Sequence, residues 1–142
     1  MANLTITVAS VLQPSSNPQL KTDVAGEALL RGQVACLAAD NKWYKADCTT
    51  LLKSGNGNGS SNIRIVLSDS GTGQPVVLLE PGQTYTVGAT TSIGKLYVLS
   101  ATSALICLNT DLVTGNYLTT LGIARTTSSI DFAPNSTGVL IP

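Results

Sequence analysis

Apolar residues in this chain recur at a spacing of two, and this alternation limits the possible folds more than any other feature. In the first segment, for example, Leu4, Ile6 and Val8 alternate with Thr5 and Thr7. Gly, Asn, Ser and Thr interrupt such segments about every eight to twelve residues, which is typical of strands joined by turns. The pattern predicts an all-β fold, a β-sandwich or squat β-barrel, with about nine core strands and an extended N-terminal arm. The core strands are expected at residues 33–38, 42–47, 63–67, 75–79, 83–87, 95–99, 105–108, 117–124 and 128–132.

The N-terminal segment is predicted to lie apart from the rest of the fold. Residues 4–8 have the alternation of a strand, and Pro14 and Pro18 lie in the segment that follows. Because proline cannot donate a main-chain hydrogen bond, residues 13–19 are expected to form an extended linker rather than part of a sheet.

The domain organisation follows from these boundaries. Residues 1–22 are predicted to be the arm and linker, and residues 23–142 the β-domain. Residues 26–31 are expected to form a turn or a single helical turn. The Gly/Asn-rich tract predicts a flexible loop at residues 54–62.

Charged residues are scarce, which makes electrostatic partners improbable. Eight basic and eight acidic residues give a net charge of zero, and charged residues form 11% of the chain, against about 25% in typical soluble domains. No basic cluster is denser than Lys42 and Lys45, so no nucleic-acid partner is predicted. No apolar run approaches the ~18 residues of a membrane span, and the N-terminus lacks a positively charged leader. We therefore expect a soluble protein made in the cytoplasm, with no membrane partner.

The residues needed for common catalytic mechanisms are missing or scattered. The chain contains no histidine, which excludes Ser-His-Asp and Cys-His arrangements and zinc sites that use histidine. The acidic residues occur singly and are interpreted as turn and cap residues. Cys36 is predicted to be a core residue and Cys48 a more exposed thiol, and neither has a neighbouring base to activate it. The sequence thus predicts no enzyme activity, no cofactor and no metal.

One aromatic pair is a candidate contact site. Trp43 and Tyr44 are adjacent in a predicted strand, so their rings point to opposite faces of the sheet. One ring would enter the core. The other would be free to stack on a sugar, to bury against a protein partner or to cover the sheet edge.

Several blocks of the sequence resemble a known class of viral proteins. Residues 25–37, AGEALLRGQVACL, and residues 42–46, KWYKA, resemble the opening of the small capsid decoration, or cement, proteins of tailed bacteriophages. In the second half, residues 84–90, 95–101, 115–124 and 129–134 resemble β-domain blocks that recur in phage virion structural proteins. The similarity extends over roughly residues 24–135 and is more specific for a phage virion β-domain than for one location in the virion.

The resemblance implies a non-enzymatic role on the outer surface of the phage capsid. Decoration proteins sit on the assembled shell, bridge neighbouring subunits of the major capsid protein and stabilise it against the pressure of packaged DNA. Copies of such proteins also contact one another as trimers or dimers. In this chain Leu4, Ile6 and Val8 are the predicted capsid-contact residues, because they would add a strand to an exposed sheet edge of the capsid protein.

Two other functions remain open at this point. The first is a phage head-fibre, tail or adhesin module in which Trp43 or Tyr44 contacts a host-surface glycan. The second is a β-fold enzyme in which two of the scattered carboxylates converge on a cleft.

Overall fold

The structure, a computed structural model, describes residues 3–11, 13, 19–56 and 62–142. It contains ten strands: β1 (Leu20–Val24), β2 (Val34–Leu37), β3 (Trp43–Lys45), β4 (Ile63–Val66), β5 (Pro75–Leu79), β6 (Gln83–Thr86), β7 (Leu96–Leu99), β8 (Ile106–Leu108), β9 (Tyr117–Ala124) and β10 (Ser129–Leu140). Short helical turns occur at Val8–Ser10, Leu52–Asn56 and Asn109–Asp111. All nine predicted core strands are present, and β1 is the additional one.

The strands form two antiparallel sheets of five. The first has the order β1-β5-β4-β2-β3, and the second has the order β6-β10-β9-β7-β8. The predicted all-β class is therefore confirmed, and of the two predicted architectures the structure adopts the sandwich. β10 continues eight residues beyond its predicted end at residue 132, because its pairing with β9 shifts register between Phe132 and Asn135 and then resumes. Pro134 is the reason that the sequence does not predict this continuation, because proline is rare inside strands except at bulges and sheet edges.

The main core lies between the two sheets. Val34 and Cys36 of β2 and Ile63 and Ile65 of β4 face the second sheet and are buried. The second sheet contributes larger side chains, including Tyr85 and Phe132, whose rings meet edge to face with centroids 6.3 Å apart. The alternation predicted from the sequence thus places one face of each sheet in a common core.

The opposite face of the first sheet is also buried. Its residues, which include Trp43, Val66 and Leu78, pack beneath Ala25 and Leu29. The predicted turn at residues 26–31 is instead a covering segment that is fixed along the sheet by backbone hydrogen bonds, from Gly26 N to Trp43 O (2.7 Å) and from Leu29 N to Ser70 O (2.9 Å). The fold therefore has a third layer that the sequence did not indicate.

The predicted N-terminal arm is not separate from the domain, and residues 4–8 do not form a regular strand. Leu4 N donates to Ile106 O in β8 (2.8 Å), and Thr7 N donates to Gly88 O just after β6 (2.8 Å). Because β8 and β6 are the two edges of the second sheet, the segment runs from one edge to the other. The apolar side chains of residues 4–8 are removed from water by packing on the nearest apolar surface, which is the core of their own domain.

Val11 completes this attachment. Its side chain is 1% exposed and belongs to the main core. Gly32 and Gly88 leave room for the Val11 side chain because they have no Cβ. A Cβ at Gly32 or Gly88 would lie only 2.8 or 2.9 Å from Val11 Cγ2. Both glycines also have positive φ angles, of 93° and 83°, which L-residues rarely adopt. The segment 3–11 is consequently part of the folded domain.

The predicted domain boundary at residue 23 must also move. β1 begins at Leu20 and pairs with β5 along its whole length, so residues 20–22 of the predicted arm and linker also belong to the sandwich. The central part of that linker, residues 14–18, lies outside the described residues. So do residues 57–61 of the predicted loop 54–62. Ser54, at the start of this loop, is fully buried, and its carbonyl accepts hydrogen bonds from the hydroxyls of Thr119 and Ser136, both 2.7 Å long.

Truncation of the buried side chain in the N-terminal segment is expected to destabilise the whole domain. Val11→Ala should lower the free energy of unfolding by about 2 kcal/mol, since it removes two buried methyl groups and leaves a cavity. Val139→Ala, at a side chain that is 58% exposed, is the matched control and should change stability by less than about 0.5 kcal/mol. Urea unfolding of both variants measures the difference. Equal stabilities would contradict the inclusion of residues 3–11 in the core.

Candidate functional site

The two rings of the aromatic pair lie on opposite faces of the first sheet, as predicted. Trp43 is 1% exposed and lies beneath the covering segment. Its indole Nε1 donates to Asp23 Oδ2 at 2.9 Å, so the polar end of the ring is also satisfied. Trp43 is therefore a core residue, and its predicted role as an exposed contact is wrong.

Tyr44 is the ring that remains accessible. It is half-buried against the main core, and its hydroxyl donates to Asp40 Oδ2 at 2.6 Å. Gly26 packs against the ring, because a Cβ at this position would lie 2.3 Å from Tyr44 Cζ. The hydrogen bond from Tyr44 holds the pKa of the Asp40 carboxyl below its usual range, so this carboxylate is ionised at neutral pH.

A mostly apolar groove of about 480 Å³ lies beside Tyr44. Ala38, Ala39 and Leu52 supply apolar surface, and Cys36 lies at its base. The polar groups at the groove are those of Glu27, Asp40, Tyr44 and Lys53. Its volume is in the usual range for small-ligand sites.

Most polar groups of this groove already have partners. Glu27 Oε2 accepts a hydrogen bond from Lys45 N at 2.9 Å, which also caps the edge of β3. Lys53 Nζ lies 3.8 Å from Asp47 Oδ2. The groove therefore offers an aromatic ring and ionised groups for binding.

Several acidic side chains have structural partners. Asp40, Asp47 and Asp69 each accept a hydrogen bond from a main-chain amide, as predicted for turn residues. Asp131 is paired with Arg125 at 2.8 Å on the outer face of the second sheet. Within residues 3–11, 13, 19–56 and 62–142, no three His, Cys, Asp or Glu side chains converge as metal ligands would.

All three cysteines are buried, which corrects the prediction of an exposed thiol at Cys48. The backbone of Cys48 lies between β7 and β9, where its N donates to Ser100 O (3.1 Å) and its O accepts from Tyr117 N (2.8 Å). Burial raises the thiol pKa values of Cys36, Cys48 and Cys107 to about 11. These thiols are therefore protonated at neutral pH and unsuited to nucleophilic chemistry.

The predicted capsid-contact residues occupy the inner face of the N-terminal segment. Leu4, Ile6 and Val8 are half-buried, and Leu4 and Ile6 pack against the main core. Thr5 and Thr7 form the exposed face. The alternation was interpreted correctly as two faces, but the partner of the apolar face in this structure is the protein's own core.

Exposed apolar side chains occur in two segments that are joined by backbone hydrogen bonds, one just before β9 and the other at the end of β10, and no earlier prediction covers them. Val113, Val139 and Leu140 are all exposed. Backbone hydrogen bonds join their segments, from Gly115 N to Ile141 O (3.1 Å) and from Ile141 N to Asn116 O (2.8 Å). We refer to Val113, Val139 and Leu140 as the C-terminal patch. The sequence signal for it is the apolar run at residues 139–141.

Comparisons with known proteins do not assign this site. No protein-family model matches the sequence, and no curated protein matches it. Among the described residues, no helix is long and apolar enough to cross a membrane.

The burial of the thiols predicts a loss of stability in alkali. The pKa of each thiol is higher in the folded than in the unfolded state. Below about pH 9 the thiols are protonated in both states and their ionisation does not reduce the free energy of unfolding. As the pH rises from 9 towards 11, the unfolded state loses its thiol protons first and the folded state is destabilised. The free energy of unfolding should fall by about 1 kcal/mol per pH unit for each thiol in this window.

Urea unfolding at a series of pH values measures this slope. Cys48→Ala should reduce the alkaline slope by about one third, because one of three similar thiols is removed.

In the native protein a thiol reagent at pH 8 should react with the cysteines far more slowly than it does in urea. Rapid reaction of Cys48 in the native state would contradict its burial.

Proposed function

We propose that the protein is a non-enzymatic virion structural protein that decorates the assembled phage capsid and stabilises it by bridging subunits of the major capsid protein. Its place would be the outer surface of the capsid, after synthesis in the host cytoplasm. The resemblance of residues 24–135 to phage virion β-domains motivates this proposal.

The observation that carries the proposal is the C-terminal patch on a surface with few charges. Val139 is 58% exposed and adjoins the exposed Leu140 in β10, and backbone hydrogen bonds join this segment to the one that contains the exposed Val113. Exposed apolar surface of this kind would be buried by a protein partner. A net charge of zero favours association, which suits a protein that functions in a lattice.

The chemistry of the described residues is consistent with a role that depends on contact area. The three thiols are buried, and the turn carboxylates are engaged by main-chain amides. The two carboxylates at the groove beside Tyr44 are engaged by hydrogen bonds, Glu27 from the Lys45 amide and Asp40 from the Tyr44 hydroxyl. These features give no support to the β-fold enzyme considered above.

The N-terminal segment remains the predicted second contact. For Leu4, Ile6 and Val8 to add a strand to the capsid protein, the segment must leave its own core. Release of the segment would expose the Val11 side chain, which is unfavourable. Burial of Leu4, Ile6 and Val8 against the capsid protein would offset this loss. A protein that bridges two subunits needs two contacts, and the C-terminal patch and a released N-terminal segment would supply them.

Co-sedimentation with expanded, undecorated phage capsids tests the proposal. The purified protein should saturate the shell at a copy number set by the lattice symmetry. Val139→Lys should weaken this binding by at least tenfold, since it places a charge in the contact, a cost of about 1.4 kcal/mol or more. Ile93→Lys, at another exposed apolar residue, is the matched control and should bind normally. Absence of saturable binding by the folded wild-type protein would overturn the proposal.

A disulfide that holds the N-terminal segment on the domain tests its release. Asn3 is the bridge partner of Cys107 in β8, and the Asn3 side chain lies within 2.5 Å of the Ser100 hydroxyl. Paired residues in antiparallel strands have the spacing that a disulfide requires. Asn3→Cys should therefore bind capsids only after reduction, whereas the wild-type protein should bind under both conditions. Equal binding by the oxidised variant would exclude release of the segment.

The groove beside Tyr44 favours a second candidate function, contact with a host-surface glycan by a head-fibre, tail or adhesin module. An aromatic ring beside an ionised carboxylate can stack on the apolar face of a sugar and accept its hydroxyls. On a glycan array, Tyr44→Ala should abolish binding, while Tyr44→Phe, which keeps the ring, should retain part of it. A wild-type protein that binds no glycan would exclude this candidate.

A further inference from the structure

The outer edge of β1 is open. Among the described residues, no strand pairs with β1 on the side opposite β5. Four of the five β1 side chains are exposed, and Leu20 and Val24 are 39% and 38% exposed. An open edge strand presents unpaired main-chain groups to any chain that can align with it.

The other edge of the same sheet is covered. Ala25 forms a parallel bridge to Trp43 in β3, and the Glu27 carboxylate accepts the Lys45 amide at 2.9 Å. In the second sheet, the N-terminal segment contacts β8 through Leu4. Within the described residues, β1 is thus an edge without a pairing partner, whereas the other edges have contacts.

The main-chain groups that point outward can be identified. Glu80 N donates to Gln19 O at 3.0 Å, and Ala25 N donates to Gln74 O at 2.9 Å. Because hydrogen bonding alternates along an antiparallel strand, the odd-numbered residues of β1 face β5. The amides and carbonyls of Leu20, Thr22 and Val24 therefore point away from the sheet.

The sequence of β1, LKTDV, is complementary to itself in the antiparallel direction. With a twofold axis at Thr22, Leu20 lies opposite Val24 of a second copy, and Lys21 lies opposite its Asp23. Opposite charges and apolar pairs at facing positions stabilise antiparallel strands. Thr22 would face its own copy in a hydrogen-bonded pair, and this register uses the residues whose main-chain groups point outward.

From this self-complementarity we propose that β1 is a homodimerisation edge, where two copies pair antiparallel about Thr22 and join their first sheets into one ten-stranded sheet. This pairing does not depend on the proposed capsid function.

Four intermolecular hydrogen bonds would form from main-chain groups that point outward, two between the Thr22 residues and two from Leu20 N to Val24 O. Two more need the Val24 amide, which donates to Asp23 Oδ1 at 3.0 Å in the single chain.

The charges at this edge would pair between copies, and Asp23 Oδ2, which accepts from Trp43 Nε1 at 2.9 Å, is held in place for this role. Lys21 Nζ lies 3.9 Å from Asp23 Oδ2 on the same strand, and the lysine side chain is 45% exposed. In the dimer each lysine has the partner's carboxylate directly opposite. The buried area of one short strand pair is small, so the dimer is expected to be weak and to require about micromolar to millimolar protein.

Sedimentation equilibrium over a range of protein concentrations tests the proposal. Thr22→Pro removes the outward amide at the twofold axis, and proline is tolerated where an edge amide faces solvent. It should raise the dimer Kd by at least tenfold, whereas Thr22→Val, which keeps the amide, should dimerise like the wild type. Lys21→Glu should have a similar effect to Thr22→Pro, because it places like charges opposite each other. Circular dichroism checks that each variant is folded.

Crosslinking tests the register. Thr22→Cys should form a disulfide-linked dimer on mild oxidation, since facing Cα atoms about 5.5 Å apart are within disulfide range. Lys21→Cys should crosslink much more slowly, because its own copy is not the facing residue. The three native thiols are buried and should contribute little background. A wild-type protein that stays monomeric at about 1 mM, or a dimer unaffected by both Thr22→Pro and Lys21→Glu, would overturn the proposal.

Discussion

The first sheet has two apolar faces, and the rest of the fold is organised by the need to cover both of them. In β2 the consecutive residues Val34, Ala35 and Cys36 are all buried, because alternate side chains enter different clusters. The second sheet covers one face, and the segment from Ala25 to Leu29 covers the other. Hydrophobic burial on both sides of one sheet thus creates a layer that is not made of strands.

This constraint decides which residues remain for function. Trp43, the largest side chain in the covered layer, is used to bind the covering segment to the sheet, and Asp23 satisfies its indole. Tyr44, one residue later, faces the other way and remains at a groove. Among the surfaces that the described residues leave open are the Tyr44 groove, the C-terminal patch and the outer edge of β1.

Strand positions and fold class were predictable because alternation and turn residues are local signals. Even the division of Trp43 and Tyr44 between two faces followed from the period of a strand. The partner of an apolar face is not a local property, so the sequence could not reveal that residues 4–8 pack on their own core. β1 was missed because four of its five residues are exposed, which leaves no alternation to detect. The groove beside Tyr44 combines Glu27, Asp40 and Lys53 from separate segments, and only the tertiary fold brings them together.

The N-terminal segment is a structural part of the sandwich, which it contacts at β8 and just after β6. The decisive experiment is amide hydrogen exchange of Leu4 and Thr7 in the free protein, since both amides donate to the domain. Both amides should be protected in the wild-type protein, and their protection should be lost in Val11→Ala. Exchange of both amides at the rate of an unstructured chain would contradict this expectation and would identify residues 3–11 as a free arm.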